Sequence, residues 1–289
     1  MKCLIAPLNW GLGHATRCIP LIRQFIADGH EVVIGSDGEA LEYLQNYFSD
    51  LRSIELPPLD IHYSAKATQV GVLVRQLPHI IKWMRCDRRA IATIQQTERF
   101  DLVISDNRFG LIAPNAVYIT HQLHIILPHS WRWLEPLAEW WHRRIINRYA
   151  ECWIPDDKSY PGLAGDLSHP KTMPRNAKYI GALSRFCKPY TYPATDGSTL
   201  AIISGPEPQR SLFEQEIVKQ YKDAIIVNGK PPYISDKLLE EYILKAERIV
   251  SRSGYTSIMD YATLGVLNKV VMTPTPGQSE QEYLATLHK

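Results

Sequence analysis

The sequence contains no apolar run near the ~18–20 residues a membrane-spanning helix requires, so no transmembrane segment is expected. Cysteine is scarce. Cys3, Cys18, Cys86, Cys152 and Cys187 are odd in number and include no C-x-x-C pair. That excludes a disulfide framework or a zinc knuckle and points to a reducing compartment. The chain has no D-x-D and no clustered His/Cys set, so neither a metal nor another cofactor is expected. Charge excess is also missing. A net charge of +2 gives no argument for a nucleic-acid partner. No internal repeat or low-complexity segment is visible. The opening MKCLIAPLNWG has one Lys and a short apolar run before Gly and His, which reads as a buried strand rather than a signal peptide.

What is present is ordinary globular composition: 289 residues, 45% hydrophobic and 21% charged. Enough apolar surface exists to outweigh chain entropy, and the length suggests two domains at roughly 150 residues each. Continuous apolar runs predict central parallel strands at 2–8, 31–37, 101–106 and 116–122. The residues Ile19, Ile22, Phe25 and Ile26 recur at helical spacing over 15–30, with Pro20 placed to kink that helix and Gly29 to end it. Further helices are expected at 39–48, within 68–98 and over 129–149, and short strands at 52–56, 151–157 and 178–183. Residues 184–198 lack periodicity and are rich in Pro, Tyr, Ser and Gly, as an inter-domain linker is. Strands then alternate with helices again from 199 to 287. The expectation is an α/β fold of two Rossmann-like domains facing across a cleft: 1–188, a linker at 189–198, and 199–289.

Four segments sit where a strand hands over to a helix, the edge at which open α/β folds bind ligands. N-W-G-L-G-H-A-T-R (9–17) offers Gly11 and Gly13 for a tight turn and close approach, but Thr16 stands where a full G-x-G-x-x-G needs glycine. His14 opens the helix, where an imidazole can serve as a base near neutral pH. S-G-P-E-P-Q-R (204–210) supplies Ser204, Gly205 and Arg210, the last able to pair with phosphate. In S-R-S-G-Y-T-S-I-M-D (251–260), Ser253 and Gly254 precede a helix N-terminus suited to a diphosphate, and Asp260 can take ribose hydroxyls. T-P-T-P-G-Q-S-E-Q-E-Y-L-A (273–285) carries Gln278, Gln281 and Glu282, which suit sugar hydroxyls, although Ser279 and Glu282 also fit a capping box. Asp106 and His121 end strands and join His14 as candidate bases, ranked behind it in that order.

Together with I-S-D-N-R-F-G (104–110) and I-T-H-Q (119–122), these segments resemble the two-domain GT-B glycosyltransferases. The resemblance is to the family that forms lipid II by transferring N-acetylglucosamine, and to its uncharacterised bacterial relatives. It spans nearly the whole chain and implies transfer of a hexose or N-acetylhexosamine from a nucleotide-sugar, UDP-linked, to a hydroxyl acceptor. The implied mechanism is inverting displacement without a metal. The resemblance places Gly11 and Gly13 beneath the donor phosphates, and His14 at the reacting centre. Ser204, Gly205, Arg210, Ser253, Gly254 and Thr256 would lie on the diphosphate, Asp260 on the ribose, and Gln281 with Glu282 on the donor sugar. The family often has two glutamines there, so Glu282 leaves the sugar open, and the shortened N-terminal glycine loop leaves the acceptor open.

Other readings stay open. One is a nucleotide-sugar epimerase or hydrolase of the same fold. Another is a non-catalytic nucleotide-sugar-binding protein. A dinucleotide oxidoreductase is weaker, with Asp37 at the ribose distance. Residues 70–89 and 129–148 combine apolar positions with Arg and Lys, as surfaces for anionic membranes do, alongside the alternative of a buried face with solvated charges. A lipid-linked acceptor and a cytoplasmic protein at the inner membrane face would follow. The second domain, closing at Lys289 just past its sugar motif, is expected to be shortened at its C-terminus.

Overall fold

The computed structural model describes residues 1–59 and 76–289. A seven-stranded parallel sheet forms the first lobe, from β1 (Lys2–Pro7), β2 (Glu31–Ser36), β3 (Ser53–Glu55), β4 (Leu102–Asp106), β5 (Ala116–Ile119), β6 (Glu151–Ile154) and β7 (Ala177–Tyr179). Its spatial order is β3-β2-β1-β4-β5-β6-β7. A four-stranded parallel sheet forms the second lobe, from β8 (Thr199–Ile203), β9 (Ile225–Asn228), β10 (Arg248–Ser251) and β11 (Val270–Met272), in the order β11-β10-β8-β9. Each order reverses once, between β1 and β4 and between β8 and β10, and those reversals are where open sheets leave a crevice.

The central strands are short and continuously apolar because both faces are covered. Cys3, Leu4, Ile5 and Ala6 are all fully buried. Helix α1 (Gly13–Ala27) keeps Ala15, Cys18, Ile19 and Ile22 inward, and Pro20 sits inside it without ending it. Helix α2 (Gly38–Tyr47) follows β2. Helix α3 (Leu77–Thr97) accounts for part of the expected 68–98 helix; residues 60–75 lie outside the described residues. The Trp-rich stretch divides into a 3-10 turn (His129–Leu134) and α4 (Glu135–Ile146). The second lobe carries α5 (Gln209–Gln220), α6 (Asp236–Lys245), α7 (Tyr255–Thr263) and α8 (Ser279–Leu287).

The two lobes share a core. Tyr255, Ile258 and Met259 of α7 and Leu284 of α8 pack in one apolar cluster with Ala15, Cys18, Ile19 and Ile22 of α1. Polar contacts cross the same seam. Asp236 takes the hydroxyl of Tyr47, Arg23 at 3.2 Å and Arg185 at 3.4 Å. Tyr283 Oη accepts from the Asp166 amide at 2.8 Å. Behind the first crevice a buried Arg108 bonds Asp37 at 2.6 Å, Asp87 at 2.8 Å and the Pro57 carbonyl at 2.7 Å. Both carboxylates and the guanidinium are thereby paired, as burial of charge requires.

Candidate active site

Register brings the chemistry together. Pro7 pairs with Asp106, and Asp106 with Ile119, so the loops after β1, β4 and β5 leave the sheet side by side. The first loop turns at Gly11, whose φ of +70° lies in the left-handed region that favours glycine. A Cβ there would sit 3.9 Å from the Gly205 backbone, so the glycine loops of the two lobes face each other. Thr256 Oγ1 donates to the Gly13 carbonyl at 3.1 Å, and a Cβ at Gly13 would lie 3.3 Å from that oxygen. Gly254 caps α7 immediately beside this contact.

His14 lies on the first turn of α1, and Arg17 one turn further on the same face. His14 Nδ1 bonds Asp106 Oδ1 at 2.8 Å. Arg17 Nε donates to Asp106 Oδ2 at 2.6 Å, and Arg17 Nη2 donates to Oδ1. The Cys18 thiol reaches Asp106 Oδ2 at 3.6 Å. Desolvation, then the Arg17 cation, push the His14 pKa below the ordinary histidine value despite Asp106. The imidazole is therefore neutral at pH 7. Its Nδ1–H is directed at a carboxylate, which fixes Nε2 as the lone-pair nitrogen.

The other two candidate bases are held in ion pairs and hydrogen bonds. Burial by itself would raise the Asp106 pKa, but Arg17 and His14 together outweigh it and hold the carboxyl well below the usual range. Both of its oxygens are occupied, Oδ1 by His14 and Arg17 and Oδ2 by Arg17. His121 is also committed on both sides. Arg17 Nη1 donates to its Nδ1 at 3.4 Å, and its Nε2–H donates to Glu280 Oε1 at 2.9 Å. Its ring stacks on Tyr255, centroids 4.0 Å apart, and Tyr255 Oη donates to the Pro155 carbonyl at 2.7 Å.

The donor-side residues converge less completely. Asp260, expected on a ribose, is buried and takes Ser184 Oγ at 2.7 Å and Arg185 Nε at 3.4 Å, so its oxygens are committed to the segment after β7. Gln281 Oε1 accepts from the Thr275 amide at 2.8 Å, and Glu282 Oε1 from the Gly277 amide at 3.3 Å, so both side chains shape the loop 273–279. Gln278, not Ser279, takes the cap position of α8, and the capping box does not form. Ser253 Oγ ties the same loop by donating to the Gln281 carbonyl at 2.7 Å. Arg210 is paired with Glu39 at 2.8 Å and Glu207 at 3.1 Å, and with Gly11 these residues line a cavity of ≈ 260 Å³. Ser204 and Gly205 stand just past the end of β8, partly exposed.

Sequence reasoning missed Arg17 and Glu280, the two charged groups that link the histidines. Helical spacing from His14 marks Arg17. Glu280 has no local signal, because its partner His121 is 159 positions away.

No family model matches the chain. A Methanosarcina mazei protein described as an uncharacterized glycosyltransferase is 23% identical over 336 residues, covering 98% of this chain and 82% of the relative. Among solved structures, the spinosyn rhamnosyltransferase SpnG superposes with a TM-score of 0.61 at 14% identity, covering 100% of this chain and 84% of that one. UGT2 of Phytolacca americana, complexed with UDP-2-fluoro-glucose and pterostilbene, gives 0.56 at 12% identity, covering 99% and 82%. A Listeria monocytogenes protein assigned as a UDP-N-acetylglucosamine 2-epimerase gives 0.54 at 13%, covering 99% and 87%. These likenesses establish the two-lobed GT-B fold.

Proposed function

We propose that this protein is a glycosyltransferase that moves a hexose or N-acetylhexosamine from a nucleoside diphosphate sugar, UDP-linked, to a hydroxyl acceptor. One observation carries the reading: His14, bonded to a buried Asp106, opens α1 at the strand reversal of one lobe, directly after a glycine loop that faces the glycine loop of the other. The glycosyltransferase relative and the UDP-sugar complex of UGT2 support it. In this reading His14 Nε2 takes the acceptor proton while the acceptor oxygen forms its bond to the anomeric carbon. The bond from that carbon to the diphosphate oxygen breaks on the opposite face, inverting the centre. Asp106 stabilises the imidazolium, and the N-terminus of α7 at Gly254 faces the leaving diphosphate. Residues 1–188 act as the acceptor-side domain, 189–198 as linker and 199–289 as the donor-side domain.

A membrane-borne acceptor is the finer part of the proposal. Trp133, at the end of the 3-10 turn, is 75% exposed, and Leu137 at 59%, Trp140 at 44% and Trp141 at 41% form a stripe along α4. The acids among them turn inward: Glu135 takes the Leu127 amide at 2.9 Å and Glu139 bonds His124. Arg132, Arg144 and Arg148 stay exposed, so the outer face is apolar and cationic, as anionic lipid requires. Of the other basic segment, residues 70–75 lie outside the described residues, and Lys82, Arg85, Arg88 and Arg89 are exposed on α3. No helix among the described residues is long and apolar enough to cross a membrane.

The test is thermal protection followed by turnover. Saturating UDP at 100 times its Kd should stabilise the protein by about 2.7 kcal/mol, whereas NAD should not. No shift with any nucleoside diphosphate refutes the proposal. The epimerase likeness supplies a second reading, in which the donor sugar is converted with no acceptor present. Incubating the donor alone and analysing the sugar separates the two.

A further inference from the structure

Two histidine–carboxylate pairs stand in the cleft, and they are joined. His14–Asp106 belongs wholly to the first lobe, whereas His121–Glu280 crosses from first to second. Arg17 is the link, because its guanidinium bonds Asp106 on one edge and His121 on the other. We propose that Glu280 is a positioning residue for the base. By accepting the Nε2–H of His121 it fixes the tautomer whose bare Nδ1 receives Arg17, and this aligns Arg17 on Asp106 and Asp106 on His14.

Each step has one hydrogen-bond consequence. A neutral imidazole carries a single proton. If that proton moved from Nε2 to Nδ1, it would point at the Nη1–H of Arg17, donor against donor. Arg17 would then lose its hold on one side and loosen from Asp106. Glu280 in turn lies on the first turn of α8, directly after a loop held by the Ser253, Thr275 and Gly277 contacts described above. The start of donor-side α8 thus delivers the group that sets the acceptor-side base, and the arrangement is complete only when the lobes are seated on each other. The charged and titratable groups facing His14 in this network are Asp106, Arg17, His121 and Glu280, with Cys18 against Asp106.

The inference rests on reading His14 as the base, but its test needs no substrate, so a protein that transfers no sugar still decides it. The measurement is 15N NMR of the histidine-labelled two-lobed protein, wild type against Glu280→Ala and Glu280→Gln. Glutamine keeps an acceptor oxygen without the charge. Glu280→Ala should move His121 toward the Nδ1–H tautomer. It should also raise the His14 titration midpoint by about 0.5 pH unit or more, because Arg17 no longer competes fully for Asp106. Glu280→Gln should keep the wild-type tautomer and leave that midpoint unchanged or slightly lower. A purely electrostatic role predicts the opposite: losing a nearby anion lowers the His14 midpoint, equally in both variants. That result, or no change in either variant, overturns the proposal. Should the alanine variant not fold, Glu280→Leu removes the acceptor while keeping helix propensity and is read the same way.

Discussion

His142 offers a prediction whose size follows from its surroundings. It lies on the inner face of α4, 6% exposed, between the rings of Phe109 and Tyr118, which meet it nearly edge-on at 5.8 and 6.1 Å. Neither ring nitrogen has a hydrogen-bond partner. Desolvation alone pushes its pKa down to about 4. In the unfolded chain the same group titrates near ~6.5. Between those values the unfolded state binds the proton and the folded state does not, so stability rises with pH there and is lost on acidification. Linkage puts the loss between pH 7.5 and pH 4.5 at about 2.5 kcal/mol from this one residue. His142→Phe keeps a flat ring in the same space and cannot titrate. Urea unfolding at a series of pH values should therefore give a shallower acid slope for the variant, with the two curves diverging by about 2–3 kcal/mol at pH 4.5. Parallel curves, or an imidazole resonance titrating near its ordinary value in the folded protein, would refute the reasoning.

Other expectations follow from the contacts described. His14→Ala should lower turnover by about 10²–10⁴-fold with the fold intact by circular dichroism; a change under threefold would remove it as the base. Gly110→Ala places a Cβ against the Met84 carbonyl and the Asp87 Cβ, with Met84 Cα at 3.0 Å, and should cost about 1–3 kcal/mol in chemical denaturation. Replacing Trp133, Trp140 and Trp141 with Ser should cut binding to anionic vesicles by about tenfold or more in a flotation assay, since each ring brings considerable apolar area. Wild-type protein that ignores such vesicles at low salt would end the membrane reading.

The order of strands and helices was legible in the sequence because each central strand is an unbroken apolar run, such as KCLIAP or LVIS, bounded by Gly, Asp or Asn. Element ends drifted by a residue or a few. The strand expected over 116–122 stops at Ile119, where the chain leaves the sheet to present His121. The position of His14 at a helix start just after a strand was legible too. What local pattern could not give was the partner of each charge. Asp106 reads as a strand-end acid, and only the register beside β1 brings it under Arg17 and His14. Asp260 reads as a carboxylate for ribose hydroxyls, and only the return of the chain at Ser184 and Arg185 engages it. Glu280 sat between two residues chosen for the sugar and was passed over, because its partner comes from the other lobe.

The shared core also has a temporal side. Ribosomal synthesis releases α1 early, but the apolar surface of that helix is finished only by Tyr255, Ile258, Met259 and Leu284. Until those residues are made, the inward face of α1 lacks part of its apolar covering. A cut placed between the lobes would leave that face bare for good, so the two halves are expected to aggregate when expressed apart and to recover solubility when expressed together.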